Sequence, residues 1–339
     1  MALPILLGIL AGFFFLLMLL QREEPVARVT VPAVEPQPKA PSTGPGPESR
    51  SAPQAGARRG EDEVAVEAVL SRDETGPLRS ELVRITEAYP ARYGVVVLDP
   101  SSGESVKMAA DEKFLAASLN KLPVLMALYR SAAVGEVDLD DKITMQASDV
   151  QAYGTGVLYL RPVGYTLTLR ECATLLIKDS DNTAWKMLDR YLGRDYIRAE
   201  LYRVGARSTE YWIPNTTTPN DILLMLKKIS DPSYTTPYLS AEMLDIMTNT
   251  SFEDRLPQPL PEGTRVSHKI GSYGTTFSDA GLVFPRGSRD TEDAYFMVVM
   301  ASDTGQDTAR ATMREMSLAT YRSMSDTGHP AGDQASGSQ

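Results

Sequence analysis

Residues 114–132, Phe-Leu-Ala-Ala-Ser-Leu-Asn-Lys-Leu-Pro-Val-Leu-Met-Ala-Leu-Tyr-Arg-Ser-Ala, constrain this chain more than any other stretch. Small residues lead into Ser118 and an apolar run of helical character follows, so the segment reads as a helix with Ser118 at its N-terminal end. Lys121 comes three residues later. Positions i and i+3 share a helix face, so hydroxyl and amine can meet. A helix N-terminus carries positive dipole and free N–H groups, which suit a developing oxyanion. A serine hydroxyl is a poor nucleophile until a neighbouring base takes its proton. A lysine can be that base when burial or a nearby cation draws its pKa down.

The remainder must complete such a site or deliver it somewhere. The 339 residues fit one large domain or two modest ones, and 42% apolar content allows a sizeable core. Residues 1–60 carry six Lys/Arg against four Asp/Glu, which leaves 28 bases and 40 acids, net −12, for the rest. So acidic a body argues against nucleic acid as a partner, because phosphate binding needs a basic footprint. The lone Cys172 forms no internal disulfide and does not reveal the compartment. One cysteine and two histidines, His268 and His329, supply no zinc-ligand cluster. No metal and no cofactor is expected.

Residues 3–20 carry no charge, and eighteen apolar residues reach the lower limit for spanning a bilayer. The run is longer than a usual signal-peptide core and lacks a basic n-region, so residues 1–24 are expected to be a transmembrane anchor or uncleaved signal. Only Arg22 flanks it closely, beside Glu23 and Glu24, and charge does not fix its orientation. Residues 25–60, with eight prolines and four glycines, read as an extended linker that cannot bury a core. A folded domain over 61–324 and a polar, disordered tail over 325–339 complete the expected division.

Within the domain, an acidic helical start at 61–71 and an amphipathic helix at 77–88 precede strands at 92–99 and 104–109, joined by a Pro-Ser-Ser-Gly turn. The Ser118 helix follows. Further helices are expected over 167–178, with Thr166 or Thr168 as cap, over 182–192 and 195–204, from Thr216-Thr-Thr-Pro219 to about 229, and over 240–249. Strands at 264–270, 278–284 and 294–301 and a helix at 307–323 close the domain. This order predicts an α+β fold, with an antiparallel sheet built from both chain ends, flanked by helices, and an all-helical lobe from the middle.

Three short signals occur in order: Ser118-Leu-Asn-Lys121; Ser180-Asp-Asn182, in a tight connection between helices; and Lys269-Ile-Gly271, on a strand. Each is common alone, and together they are specific. With their flanks, Ala-Ala-Ser-Leu-Asn-Lys-Leu-Pro, Ser-Asp-Asn-Thr-Ala, Thr-Thr-Thr-Pro and His-Lys-Ile-Gly-Ser, they make residues 78–323 resemble the class A β-lactamases and their penicillin-binding relatives. That resemblance implies a β-lactamase/transpeptidase-like fold and acylation of Ser118 by a β-lactam or a peptidoglycan peptide. It further implies that Lys121 accepts the serine proton, Ser180 relays a proton to the leaving nitrogen, and Asn182 binds the substrate amide carbonyl. Lys269 would attract a substrate carboxylate and help keep Lys121 neutral. The N–H groups of Ser118 and Ser272 would form the oxyanion hole, and Gly271 would line the substrate site with Asn182, Lys269 and Ser272. If Lys269 faces the cleft, strand alternation turns His268 away as a structural residue.

The chain also departs from the family. Class A β-lactamases present a deacylating glutamate from a long loop in an E-x-x-L-N motif. Here 34 residues separate Asn182 from Thr216, a shorter interval without that motif, and Glu210, the carboxylate nearest the missing position, is the candidate substitute for the deacylation base. Ile270 stands where the family has a threonine hydroxyl, for which Ser272 could compensate. Cys172 lies where some members place half a disulfide, but the matching position is Leu125. The resulting expectation is a membrane-anchored, extracytoplasmic serine hydrolase, competent in acylation and slow in deacylation. A D,D-carboxypeptidase acting on peptidoglycan and a non-catalytic wall-binding module are the alternatives.

Overall fold

A computed structural model describes residues 76–285, 288 and 290–326. The expected anchor, linker, acidic start at 61–71 and the tail beyond 326 lie outside the described residues. No helix among the described residues is long and apolar enough to cross a membrane.

Helix α1 (Pro77–Ala88) begins with a proline in its first turn and buries Leu78, Leu82 and Ile85 along one stripe. β1 (Arg92–Leu98) and β2 (Ser105–Met108) form the expected hairpin. Asp99 closes its turn, its Oδ1 accepting from Ser101 N at 2.8 Å. The 114–132 stretch, expected to hold a helix starting at Ser118, divides into three. Phe114–Leu115 is a short strand, β3; Ala117–Lys121 is a 3₁₀ turn; and α2 (Leu122–Ala133) is the helix proper. The division falls at Ala117, whose φ of +48° interrupts helical geometry, while Pro123 in the first turn favours a fresh start. Ser118 is therefore on a 3₁₀ turn. Nine of the twelve residues of α2 are buried, which makes it the central helix of the lobe.

β4 (Lys142–Thr144) pairs with β5 (Thr166–Thr168). Thr168 then caps α3 (Leu169–Lys178) in a reciprocal box with Glu171. α4 (Asn182–Leu192), α5 (Arg194–Arg203), β6 (Thr216–Thr217, paired with β3), α6 (Pro219–Ser230) and α7 (Pro237–Ile246) complete the lobe. Thr218 and Thr236 cap the last two, each with proline in the first turn.

The chain then returns to the sheet as β7 (Arg265–Tyr273), β8 (Thr276–Phe284) and β9 (Tyr295–Ser302), and the described residues close with α8 (Gln306–Asp326). Two residues of the expected tail, 325 and 326, belong to this helix. The sheet order is β2-β1-β9-β8-β7, antiparallel throughout, so both chain ends build it as expected. Partners in register share a face. The row Val96–Val298–Ala280–Lys269 faces the helical lobe, and the row Val97–Met297–Gly281–His268 lies on the α1/α8 face. Adjacent residues of β7 are thus delivered to opposite sides of the sheet.

Candidate active site

The 3₁₀ turn bearing Ser118 is fixed from two directions. Ala116 N donates to Asn215 O at 2.8 Å, and Leu119 N donates to Ala116 O at 3.0 Å. β7 runs against its start: a Cβ on Gly271 would lie 2.7 Å from Ala116 O, so glycine is what lets strand and turn touch.

Lys121 is 2% exposed. Its Nζ lies 3.3 Å from Ser118 Oγ, 3.1 Å from Ser180 Oγ, and 2.7 Å from both Ser180 O and Asn182 Oδ1. Burial draws its pKa down to about 7, against a partial upward pull from Asp181. Lys269, 1% exposed, donates to Ser180 Oγ at 2.9 Å and to Ile270 O at 3.0 Å. Its pKa is pushed well below the ordinary lysine range, by burial first and then by the charge of Lys121. Ser180 is the shared partner of both lysines. Its φ of +50° aims hydroxyl and carbonyl into the site, and the carbonyl also accepts from Thr155 Oγ1 at 2.7 Å.

Asp181, quoted in the sequence motif but given no role there, organises this end of α4. Its Oδ1 caps the helix through Thr183 N and Ala184 N, and its Oδ2 accepts from Val157 N and Leu158 N. The 151–157 loop closes on it so tightly that a Cβ on Gly156 would overlap the carboxylate at 2.2 Å. Asn182 Nδ2 donates to Tyr153 O of that loop at 3.0 Å, which orients the amide with Oδ1 toward Lys121.

Arg255 escaped sequence reading altogether, since no motif surrounds it. It is 2% exposed and braces the end of β7, donating to Gly271 O at 3.0 Å, to Ser278 O at 2.6 Å and to Ser272 Oγ at 2.5 Å. Ser272 itself is exposed and Ile270 is buried. His268 points away from the site to Asp279 (2.8 Å) and Glu253 (3.1 Å). Glu210 is bridged through its backbone to Thr216, and its carboxylate pairs with Lys113 at the surface. Cys172 is buried and free. Among the described residues no His/Cys/Asp/Glu group could hold a metal ion.

The structure thus brings together Ser118, Lys121, Ser180, Asn182 and Lys269, with Gly271 and Ser272 alongside. A partly exposed hydroxyl meets a buried amine that sheds its proton near neutrality, and a second hydroxyl bridges to a second lysine. Such an arrangement can deprotonate a serine for attack on a carbonyl and return a proton to a leaving group.

Comparison with known proteins agrees with this chemistry. A sequence model of the Beta-lactamase enzyme family matches residues 77–324. Beta-lactamase 3 of Bacillus cereus is 25% identical over 251 residues, covering 65% of this chain and 77% of that protein. The beta-lactamase of Bacillus licheniformis is 24% identical over 251 residues, covering 66% and 80%. The solved structure of PBP-A is 26% identical with a TM-score of 0.68, over 74% of this chain and 97% of that one. Its L158E mutant, seen as an acyl-enzyme complex with penicillin G, matches at 26% identity and a TM-score of 0.67, over 74% and 96%. An ancestral class A beta-lactamase is 25% identical with a TM-score of 0.67, over 73% and 99%.

Proposed function

The chain belongs to the beta-lactamase enzyme family and is a serine hydrolase of that type, and we propose that it forms a long-lived acyl-enzyme at Ser118 with β-lactams or related amides. The observation that carries this reading is the 3.3 Å approach of buried Lys121 Nζ to Ser118 Oγ. Lys121 takes the hydroxyl proton as Oγ bonds to the carbonyl carbon. The C–N bond then breaks, and Ser180 passes a proton to the nitrogen, replenished from the lysines at either side of its hydroxyl. The backbone N–H groups of Ser118 and Ser272 receive the oxyanion. Asn182 Nδ2, one hydrogen of which goes to Tyr153 O, offers the other to a substrate amide carbonyl. Arg255, whose guanidinium reaches Ser272 Oγ, supplies positive charge for a substrate carboxylate, and Lys269 Nζ stands beside it as an N–H donor.

Deacylation is the slow step in this reading. The Asp181 carboxylate is consumed by four backbone N–H groups, and Glu210 is engaged by Lys113. No carboxylate hydrogen-bonds Ser118, Lys121 or Ser180 among the described residues. Without a positioned base, roughly 10²–10⁴-fold is lost from the step it serves. The same lack favours penicillin-binding behaviour, with a D,D-peptidase action on peptidoglycan peptides as the second reading. We place the domain outside the cytoplasm, tethered by residues 3–20, on their uncharged length; release of the protein by alkaline carbonate extraction of membranes would refute the tether.

Intact-protein mass spectrometry after mixing with a penicillin tests the central claim. The expected result is one penicilloyl adduct that persists for hours and is absent from Ser118→Ala. An adduct retained by that variant removes Ser118 as nucleophile. An adduct that vanishes as antibiotic is consumed replaces slow deacylation with true turnover.

A further inference from the structure

The chain has two tryptophans, Trp185 and Trp212, and both stand beside the acylation site. Trp185 follows Asn182 by three residues on α4, so the two side chains share a face and both reach Lys121. Asn182 does so through Oδ1 at 2.7 Å; the Trp185 ring centroid lies 5.8 Å from Lys121 Nζ. This indole is tied in place. Its Nε1 donates to the Tyr211 hydroxyl at 3.0 Å, and that hydroxyl donates to Asp189 Oδ1 at 3.0 Å. Trp212 packs on it, ring centroids 4.9 Å apart and planes tilted by 38°. Arg194 and Lys186 hold Trp212 in turn, at 3.7 Å and 4.4 Å from its centroid, and Arg194 Nε is anchored 3.2 Å from Asp189 Oδ2.

The segment carrying Tyr211 and Trp212 is pinned at its other end to the nucleophile turn. Asn215 accepts from Ala116 N through its carbonyl and from Asn120 Nδ2 at 2.6 Å through its side chain. This short segment therefore packs aromatic carbon against Trp185, the ring that flanks Lys121. The polar contacts of Lys121 Nζ go to Ser118, Ser180 and Asn182, and the Trp185 indole closes a further side.

We propose that the Trp185–Trp212 stack is a water-excluding wall beside the acyl ester, and that Trp185 is a positioning residue that prolongs the acyl-enzyme by denying a nucleophile its place next to Lys121. The proposal rests on the acyl-enzyme reading and adds a second cause of its persistence. In hydrolysis the oxygen of water bonds to the ester carbon, the C–Oγ bond breaks, and a proton from water ends on Ser118 Oγ, freeing a carboxylic acid. Hydroxylamine does the same through nitrogen and frees a hydroxamate. Neutral Lys121 can carry that proton only for a nucleophile that reaches it, so the wall adds to the slowing that the want of a positioned carboxylate already causes.

The test uses the full chain, acylated with penicillin, freed of excess drug and exposed to hydroxylamine. Loss of the adduct mass is followed together with release of hydroxamate. Trp185→Ala is expected to lose the acyl group about tenfold faster than the parent, below the ~10²-fold that a positioned base would add. Equal rates in variant and parent overturn the proposal. Trp185→Leu, a smaller loss of volume, takes its place if the alanine variant does not fold. The parent gives an independent reading, because all tryptophan emission comes from this stack: acylation is expected to reduce quenching by acrylamide, and unchanged quenching overturns the wall. Failure of the parent to form any adduct overturns the acyl-enzyme reading, and this proposal with it.

Discussion

Lys269 and His268 are neighbours on β7 and both are essentially inaccessible, yet the two sides of that strand treat buried charge in opposite ways. On the lobe side, the hydrogen bonds of Lys269 and Lys121 among the described residues go to hydroxyl, carbonyl and amide oxygens, and both amines are driven toward neutrality. On the other side burial also opposes the charge of His268, but Asp279 and Glu253 outweigh it, and the pKa rises to about 9. Burial alone does not decide protonation; the partner does. A buried cation given carboxylates becomes a clamp. A buried cation denied them becomes a base. The proposed acylation requires the second condition at Lys121, and strand alternation keeps the clamp's carboxylates on the far side of the sheet.

The sharpest way to break this contrast is to remove the proposed base. Lys121→Met keeps the volume and loses the amine. Acylation by a chromogenic cephalosporin is expected to slow by roughly 10²–10⁴-fold. In the parent, acylation should fall as pH drops below about 7, because the base is then protonated. A variant that acylates at the parent rate would hand the role of base to Lys269.

The clamp should fail in stability instead of rate. In Asp279→Asn the His268 cation loses its 2.8 Å partner and Leu256 N loses a charged acceptor. Breaking one side of a buried ion pair costs about 3–5 kcal/mol, read as a fall in urea midpoint. Acylation by the surviving folded protein should change little, since Asp279 reaches Lys269 only through its field. The pH dependence has a definite sign. His268 binds its proton more tightly in the fold than at the ordinary 6.5, so the stabilisation is complete below pH 6.5 and is lost as pH rises through 9. The loss amounts to about 3 kcal/mol. Urea midpoints at pH 6 and pH 9.5 should therefore differ in the parent and differ less in Asp279→Asn; an equal drop in both removes His268 as the titrating group.

What could be read beforehand follows the same division between local and distant causes. Ser118 with Lys121, and Asn182 beside Ser180, announce themselves because their chemistry is written in short spacing, and Thr168 and Thr218 cap helices by local rules. Alternation along β7 separated Lys269 from His268. The α-helical start expected at Ser118 is a 3₁₀ turn instead, because Ala117 has a positive φ beside Ala116, which is held by residues 215 and 271, far away in sequence. β3 and β6 are too short, at two residues each, to carry a periodic signal. Arg255 acts through backbone carbonyls that no motif encodes. The spacing of Trp185 from Asn182 did hold a clue, since three residues on a helix share a face.

Glu210 gives the smallest expected effect and the most discriminating one. Its partner Lys113 lies 97 residues away in sequence, and the pair is half-exposed, 50% and 42%. Such pairs contribute about 0–1 kcal/mol. Glu210→Gln should therefore leave unfolding, acylation and adduct lifetime close to those of the parent. The comparison across β7 gives the reason: a carboxylate governs a buried amine only when it is buried beside it, as Asp279 is beside His268, and Glu210 is spent at the surface. An adduct lifetime extended by ~10²-fold or more in this variant would identify Glu210 as a working base after all. Slow deacylation would then have to come from the tryptophan wall alone.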